Sequence, residues 1–227
     1  MHTKPFVISD TTNAAIKLVL LDMDGTLLDL AFDNHFWLEA VPQLYARQYQ
    51  LDPAEAQQLL SQCYATQAGM LSWYCLDYWQ ERLGLDLMGL KRQLTGNIRY
   101  RADALEFLKQ LRQLGMATWL VTNAHPASVA LKLQVTGLGY YLDEIICSHA
   151  FGVPKEHPDF WTTLVHLYHP DLQQCLFIDD SEAVLDTAVH AGVGQVRTIL
   201  QPDESRPPRS ELRYPALETF SQLFVRS

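Results

Sequence analysis

"LVLLDMDGTLLDL" (residues 18–30) sets an unbroken apolar run directly against two carboxylates, Asp22 and Asp24, and then turns through Gly25-Thr26. A run with no polar alternation reads as a strand covered on both faces, the kind that builds a parallel sheet. Such a strand takes no charge for free. Moving two neighbouring anions out of water has to be offset by a cation, by hydrogen bonds or by raised pKa values. The apolar run therefore predicts a buried parallel sheet, and its acidic end predicts a site.

Similar runs recur along the chain: "IKLVLLD" (16–22), "ATWLVTN" (117–123), "EIICS" (144–148), "CLFID" (175–179) and the weaker "GQVRTIL" (194–200). Helical patterns lie between them. "ADALEFLKQLRQLG" (102–115) places Leu105, Leu108, Leu111 and Leu114 on one face and stops at Gly115. "SEAVLDTAVHAG" (181–192) offers Ser181 as N-cap and stops at Gly192. Strands alternating with helices imply an α/β fold, a doubly wound, Rossmann-like parallel sheet covered on both faces. One interval breaks the alternation. Residues 29–97 hold helical periodicity and no convincing strand, with Asp52-Pro53 reading as an N-cap and first-turn proline. The expected organisation is a catalytic core of residues 1–28 and 98–227 carrying an inserted all-helical cap of residues 29–97. "DESRPPRSE" (203–211) reads as a polar surface stretch.

The composition narrows the function. With 227 residues and 48% hydrophobic content the chain has ample core for one good-sized domain, and disorder is excluded. A net charge of −9 argues against a sequence-independent nucleic-acid binder but leaves room for a small anionic substrate beside a metal. Four separated cysteines show no metal-finger spacing and are expected as free thiols. The first residues, "MHTKPFVISDTTNAA", lack the apolar stretch of a signal peptide, and no run is long enough for a membrane span. A cytoplasmic protein without membrane association is the expectation.

Ligands of open parallel sheets gather at the carboxyl ends of the strands. Those ends carry Asp22, Asp24 and Gly25; Thr122 and Asn123; Pro154-Lys155 after a short loop; and Asp179, Asp180 and Ser181. Four carboxylates on one edge repel each other unless a hard cation joins them, and oxygen ligands of this type suit Mg²⁺. Thr122 then supplies a hydroxyl and Lys155 a point charge for a phosphoryl group. Backbone N–H groups at Met23, Asp24, Gly25 and Asn123 are further candidate donors. The set fits phosphoryl transfer to a carboxylate, where positioning and charge neutralisation carry most of the catalysis.

"DMDGT", "LVTNA", "VPKEHP" and "FIDDS" follow one another in the order and spacing of the four motifs of haloacid-dehalogenase-like phosphohydrolases, which the chain resembles over nearly its whole length. The resemblance implies Asp22 as nucleophile, forming an aspartyl-phosphate, and Asp24 as acid and base. It implies Mg²⁺ held by Asp22, the Asp24 carbonyl and Asp180, with Asp179 acting through a bridging water, and phosphoryl oxygens bound by Thr122 and Lys155. "DMDGTLLDLAFDNHFW", "LSWYCLDYW", "TNAHP" and "FGVPKEHPDFW" further resemble the bacterial GMP/IMP nucleotidases of that superfamily. This implies hydrolysis of purine nucleoside 5′-monophosphates. Sugar-phosphate phosphatases and phosphomutases share the motifs, and a non-catalytic phosphate-binding module is the third class. The second aspartate of the first motif argues against a dehalogenase.

Other residues keep two readings. Asn123 either donates to phosphate or shapes its turn; His125 either meets substrate or starts the helix at Pro126. Asp33 and Asn34 either reach substrate or cap a helix. Asp179, Asp180 and Ser181 each could cap the following helix. Trp37, Trp73, Tyr74, Tyr78 and Trp79 either stack a base or fill the core of the helical segment.

Overall fold

In the computed structural model residues 6–8 and 16–226 are described; residues 1–5 and 9–15, the bulk of the stretch read above as lacking a signal peptide, lie outside them. In chain order the elements are β1 (Phe6–Ile8) and β2 (Leu18–Leu21), followed by the helical run α1 (Ala31–His35), α2 (Val41–Tyr49), α3 (Pro53–Ala65), α4 (Leu71–Tyr74), α5 (Leu76–Leu83) and α6 (Leu87–Gln93). The alternation then resumes: α7 (Ala104–Gln113), β3 (Ala117–Thr122), α8 (Pro126–Thr136), β4 (Glu144–Cys147), α9 (Pro158–Tyr168), β5 (Cys175–Ile178), α10 (Glu182–His190), β6 (Gln195–Ile199), β7 (Ala216–Leu217) and β8 (Phe224–Arg226). A π-helical turn, Phe36–Ala40, joins α1 to α2.

The main sheet has the order β4-β3-β2-β5-β6-β7 and every pairing in it is parallel. The first strand of the alternating fold, β2, is central. Successive strands go to one side of it as β3 and β4 and then cross to the other as β5 and β6. That reversal opens a crevice beyond the ends of β2 and β5. β1 and β8 pair antiparallel in a separate ribbon. Among the described residues no helix is long and apolar enough to cross a membrane.

Continuous apolarity in β2 has a direct cause. Val19 and Leu21 pack with Phe107, Leu108 and Leu111 of α7, while Leu18 and Leu20 pack with Phe160, Trp161 and Leu164 of α9 and with Leu185 of α10. Both faces of the strand are core, so no position tolerates a polar residue. The helical segment has its own core of Phe36, Val41, Leu60, Tyr64, Leu76, Trp79, Leu83 and Leu87.

Three readings are corrected. α7 buries Ala104, Phe107, Leu108 and Leu111, while Leu114 is exposed; the large Phe107 turns the helix away from the all-leucine face. Ser181 sits at the N-cap of α10 but its side chain makes no capping hydrogen bond, and its own N–H goes to the Asp179 carboxylate at 2.8 Å. The stretch 203–211 is not mere surface. Asp203 is buried and accepts from Asn34 Nδ2 at 2.7 Å, and Arg209 donates to the Asp180 carbonyl at 2.7 Å. The Asp52–Pro53 start holds: the Asp52 side chain accepts from Ala54 N.

Two chain segments connect the sheet to the helical run, and they are stitched together. Leu28 bridges both Asp24 and Tyr100, Asp29 N donates to Arg99 O, and Arg101 N donates to Leu27 O. Asp29, buried, accepts from Ala31 N and Glu204 N and pairs with Arg99 at 2.5 Å.

Candidate active site

The register of the sheet assembles the acidic centre. Asp22 N donates to Ile178 O at 3.0 Å, continuing the β2–β5 ladder one residue past β2 and bringing Asp22 beside Asp179. Lys155, buried, reaches in from the loop after β4. Its ammonium lies 2.5 Å from Asp22 Oδ1, 2.7 Å from Asp179 Oδ2 and 3.0 Å from Val121 O, so all three of its protons have acceptors. Asp179 Oδ1 accepts from Ser181 N, which commits both of its oxygens to protein donors.

One lysine does not neutralise this centre. Burial raises Asp22 to about 6 despite the attraction of Lys155, and the charge of Asp179 adds to the rise. Asp180 is pushed well above the carboxylate range by burial and then by Asp179 and Asp22. Lys155 itself is raised: burial opposes its charge, and Asp179 and Asp22 outweigh it. Asp22, Asp179 and Asp180 each present an oxygen within 4.8 Å of the others. Hard oxygen donors, crowded and under-neutralised, fit a small divalent cation such as Mg²⁺. Gly25 is part of the same cradle. Its φ is +86°, and a Cβ there would meet the Asp180 carboxyl at 2.7 Å, so only glycine leaves that carboxylate room.

A second charged group surrounds Asp24. Lys132, fully buried on α8, lies 2.6 Å from Asp24 Oδ1 and 2.5 Å from Asp33 Oδ2, and Asp33 Oδ1 lies 3.0 Å from Lys91 of α6. Burial and the neighbouring charge of Asp33 raise Asp24 to about 6 against the pull of Lys132. For Asp33 burial also acts upward, but Lys132 and Lys91 outweigh it and hold the carboxyl at about 2. Two carboxylates on one lysine are thereby separated, one poised to exchange a proton near neutrality and one permanently charged. Sequence reading missed both lysines. The available hint was Lys132 between Leu131 and Leu133, a lysine amid apolar neighbours on a helix packed against the sheet.

The remaining candidates resolve into positioning contacts. Asn123 accepts from Lys155 N at 2.9 Å and donates to Glu156 at 2.8 Å, and the Tyr74 hydroxyl donates to the other oxygen of Glu156 at 2.5 Å. Asn123 thus has its side chain spent on shaping the loop and on a link to α4. Thr122 Oγ1 accepts from Ala124 N, which leaves its proton to give. The Gly25 N–H goes to Leu28 O at 2.8 Å and is not a free donor as the chain is folded. Asn34 is held by Asp203. Neither Asp33 nor Asn34 caps α1: its N-cap is Leu30, and Ala31 N donates to the Asp29 carboxylate. His125 Nδ1 accepts from Ala127 N, which favours the helix-start reading.

Above the acidic floor lies a cavity of about 340 Å³ whose lining includes Asp22, Asp24, Asp33, Asn34, Thr122, Lys155, Asp179 and Asp180 below and Trp37, Tyr64, Trp73, Tyr74 and Trp79 above. Trp79 is both core and wall. It is buried, donates to Trp73 O at 2.9 Å and meets Tyr64 edge-to-face at 5.0 Å. Tyr78 does not line the cavity.

A family model described as haloacid dehalogenase-like hydrolase matches residues 16–192. The chain is 40% identical to the GMP/IMP nucleotidase YrfG of Escherichia coli, over 92% of this chain and 94% of that protein. It is 24% identical to a phosphoglycolate phosphatase of Mesorhizobium japonicum, over 78% of this chain and 79% of that one. Among solved structures, a HAD phosphatase from Thermococcus onnurineus superposes with a TM-score of 0.74 at 21% identity, covering 92% of this chain and 96% of that one.

Proposed function

Because the chain belongs to the haloacid dehalogenase-like hydrolases, we propose that it is a Mg²⁺-dependent 5′-nucleotidase converting GMP and IMP to nucleoside and phosphate. The observation that carries the reading is the buried Lys155 holding Asp22 and Asp179 at the floor of a cavity roofed by aromatic rings. The identity to the E. coli nucleotidase across both chains supports the substrate class.

The side chains divide the work as follows. Asp22 attacks phosphorus, forming an acyl-phosphate bond as the bond from phosphorus to the 5′-oxygen breaks. Asp24, whose pKa of about 6 leaves a protonated fraction near neutrality, gives its proton to the departing oxygen. It then takes a proton from the water that attacks the acyl-phosphate, releasing phosphate and restoring Asp22. Lys132 and Asp33 hold Asp24 in place through both steps. Lys155 keeps Asp22 oriented and lessens its repulsion of the incoming phosphate, and the Thr122 hydroxyl donates to a phosphoryl oxygen. Mg²⁺ would be held by Asp22, Asp180 and the Asp24 carbonyl, with Asp179 supporting; when bound it supplies positive charge for the phosphoryl group. The purine lies against the aromatic wall, where stacking contributes roughly 1–3 kcal/mol per base. On this reading residues 29–97 act as a cap over a core of 1–28 and 98–227, and the enzyme works in the cytoplasm on a small phosphate monoester.

The test is turnover of a panel of phosphate monoesters, with Mg²⁺ and with chelator. Faster hydrolysis of GMP and IMP than of sugar phosphates and phosphoglycolate, lost with chelator and restored by Mg²⁺, is expected. Equal or faster turnover of the sugar phosphates would refute the nucleotidase reading. Phosphate shuttled between hydroxyls without release would identify a phosphomutase.

A further inference from the structure

We propose that Cys75, His125 and His149 form a second metal site, selective for zinc-class ions, that ties the helical segment to the sheet and slows turnover. Their ligand atoms all lie within 4.8 Å of one another. Cys75 stands at the N-cap of α5; His125 precedes α8 and His149 lies in the turn after β4. The ligands are 50 and 24 residues apart along the chain, which is why reading cysteine spacing found no metal site.

The hydrogen bonds around His149 already aim a free nitrogen into the cluster. The Cys147 thiol donates to Ala124 O at 2.9 Å, so its sulfur accepts from His149 Nδ1 at 3.6 Å. The proton of His149 is therefore on Nδ1, and its lone pair is on Nε2. That nitrogen is buried and has no hydrogen-bond partner among the described residues. A buried acceptor without a donor is costly, and a metal ion is a chemical answer to it. His125 Nδ1 accepts from Ala127 N, so its proton sits on Nε2; ligation through Nε2 moves that proton to Nδ1 and opens the Ala127 contact. The Nε2 lies 3.3 Å from the carboxylate of Asp77, an exposed residue of α5. Cys75 Sγ accepts from Tyr78 N at the start of α5. The two rings are perpendicular, with centroids 5.1 Å apart.

Ligand chemistry separates this site from the acidic one. A thiolate with two imidazoles selects Zn²⁺ and its relatives over Mg²⁺, and the oxygen cluster at Asp22 does the reverse. Tetrahedral ligands on zinc stand roughly 3.3–3.8 Å apart, a spacing these three atoms can reach, so a bound ion holds α5 to the loops after β3 and β4. Tyr74, next to Cys75, already grips Glu156. Zinc therefore locks a closure that product release has to undo.

The test uses the whole chain with excess Mg²⁺ to fill the acidic site. Titrated Co²⁺ is expected to give the thiolate charge-transfer and tetrahedral d–d bands at a single equivalent, displaced by Zn²⁺. Cys75→Ser keeps an N-capping side chain and is expected to lose the charge-transfer band, while His149→Asn weakens binding by roughly tenfold or more. No band in the wild type, or an unchanged band in Cys75→Ser, overturns the site. Zn²⁺ is expected to inhibit turnover at saturating Mg²⁺, with the half-inhibitory concentration raised roughly tenfold in Cys75→Ser. Equal inhibition of both proteins overturns the regulatory part and assigns the effect to the acidic centre. The binding readout does not depend on which phosphate ester is the substrate.

Discussion

Lys132→Met tests the charge arrangement around Asp24 directly. Lys132 is fully buried, and its ammonium lies 2.6 Å from Asp24 and 2.5 Å from Asp33. Methionine keeps the volume and removes the charge, so two half-buried carboxylates face each other with Lys91 alone to share. Asp33 sits at about 2 against an ordinary 3.8; at about 1.4 kcal/mol per unit its pairing contributes about 2 kcal/mol of stability. Because that pKa is depressed, the contribution is present above 3.8 and is lost as pH falls through 2. Asp24 adds the opposite effect. Its carboxyl, already raised to about 6, rises further without Lys132, and a raised carboxyl penalises the folded state increasingly as pH climbs above 3.8. Breaking a buried pair by removing one partner costs about 3–5 kcal/mol. For a chain of this size each kcal/mol lowers Tm by roughly 2–4 °C. Circular dichroism melts near neutral pH are therefore expected to show a fall of ~6–20 °C, shrinking in acid. Adding Asp33→Asn to Lys132→Met is expected to recover part of the loss, since the second carboxylate is then uncharged. A Lys132→Met protein within about 1 kcal/mol of wild type, or a deficit that grows in acid, would refute the reasoning.

Asp22→Asn is expected to abolish turnover while retaining the far-UV spectrum and a cooperative melt; measurable hydrolysis would remove Asp22 from the nucleophile's role. Gly25→Ala places a Cβ 2.7 Å from the Asp180 carboxyl at a φ of +86°. It is expected to weaken Mg²⁺ activation by tenfold or more, a result read from the Mg²⁺ dependence of the rate and overturned by an unchanged curve. Tyr74→Phe removes the 2.5 Å hydrogen bond to Glu156, an interaction with a charged group worth about 1.5–3 kcal/mol. KM is expected to rise several-fold and Tm to fall by ~3–12 °C, and steady-state kinetics showing no change would deny Tyr74 a part in closing the site.

The sheet and the acidic floor were legible because both are written locally. β2, β3 and β5 each announce themselves as an apolar run, and the position after each run is a carboxylate or a threonine. Parallel pairing then brings those ends together without further information. The contacts around Asp24 were hidden for the opposite reason. Lys132 meets Asp24 and Asp33 from 108 and 99 positions away, and no periodicity marks such a pairing. Asp203 and Arg209 looked like solvated charges because proline-rich polar stretches usually are, yet they brace Asn34 and the carbonyl of Asp180. The face of α7 was misjudged by counting leucines, when Phe107 set the rotation.

The stitched entrance to the helical segment has an evolutionary consequence. Leu28 pairs with Tyr100, so the excursion leaves and rejoins the sheet at one point. Its ends are held together however long it is, and the entropy of closing such a loop grows only slowly with length. The roof is therefore an exchangeable part: it can be lengthened, trimmed or replaced without shifting a single strand. One condition travels with any replacement. Lys132 belongs to the sheet side and stays behind, so a new roof has to deliver a carboxylate where Asp33 now stands or leave a buried cation leaning on Asp24 alone.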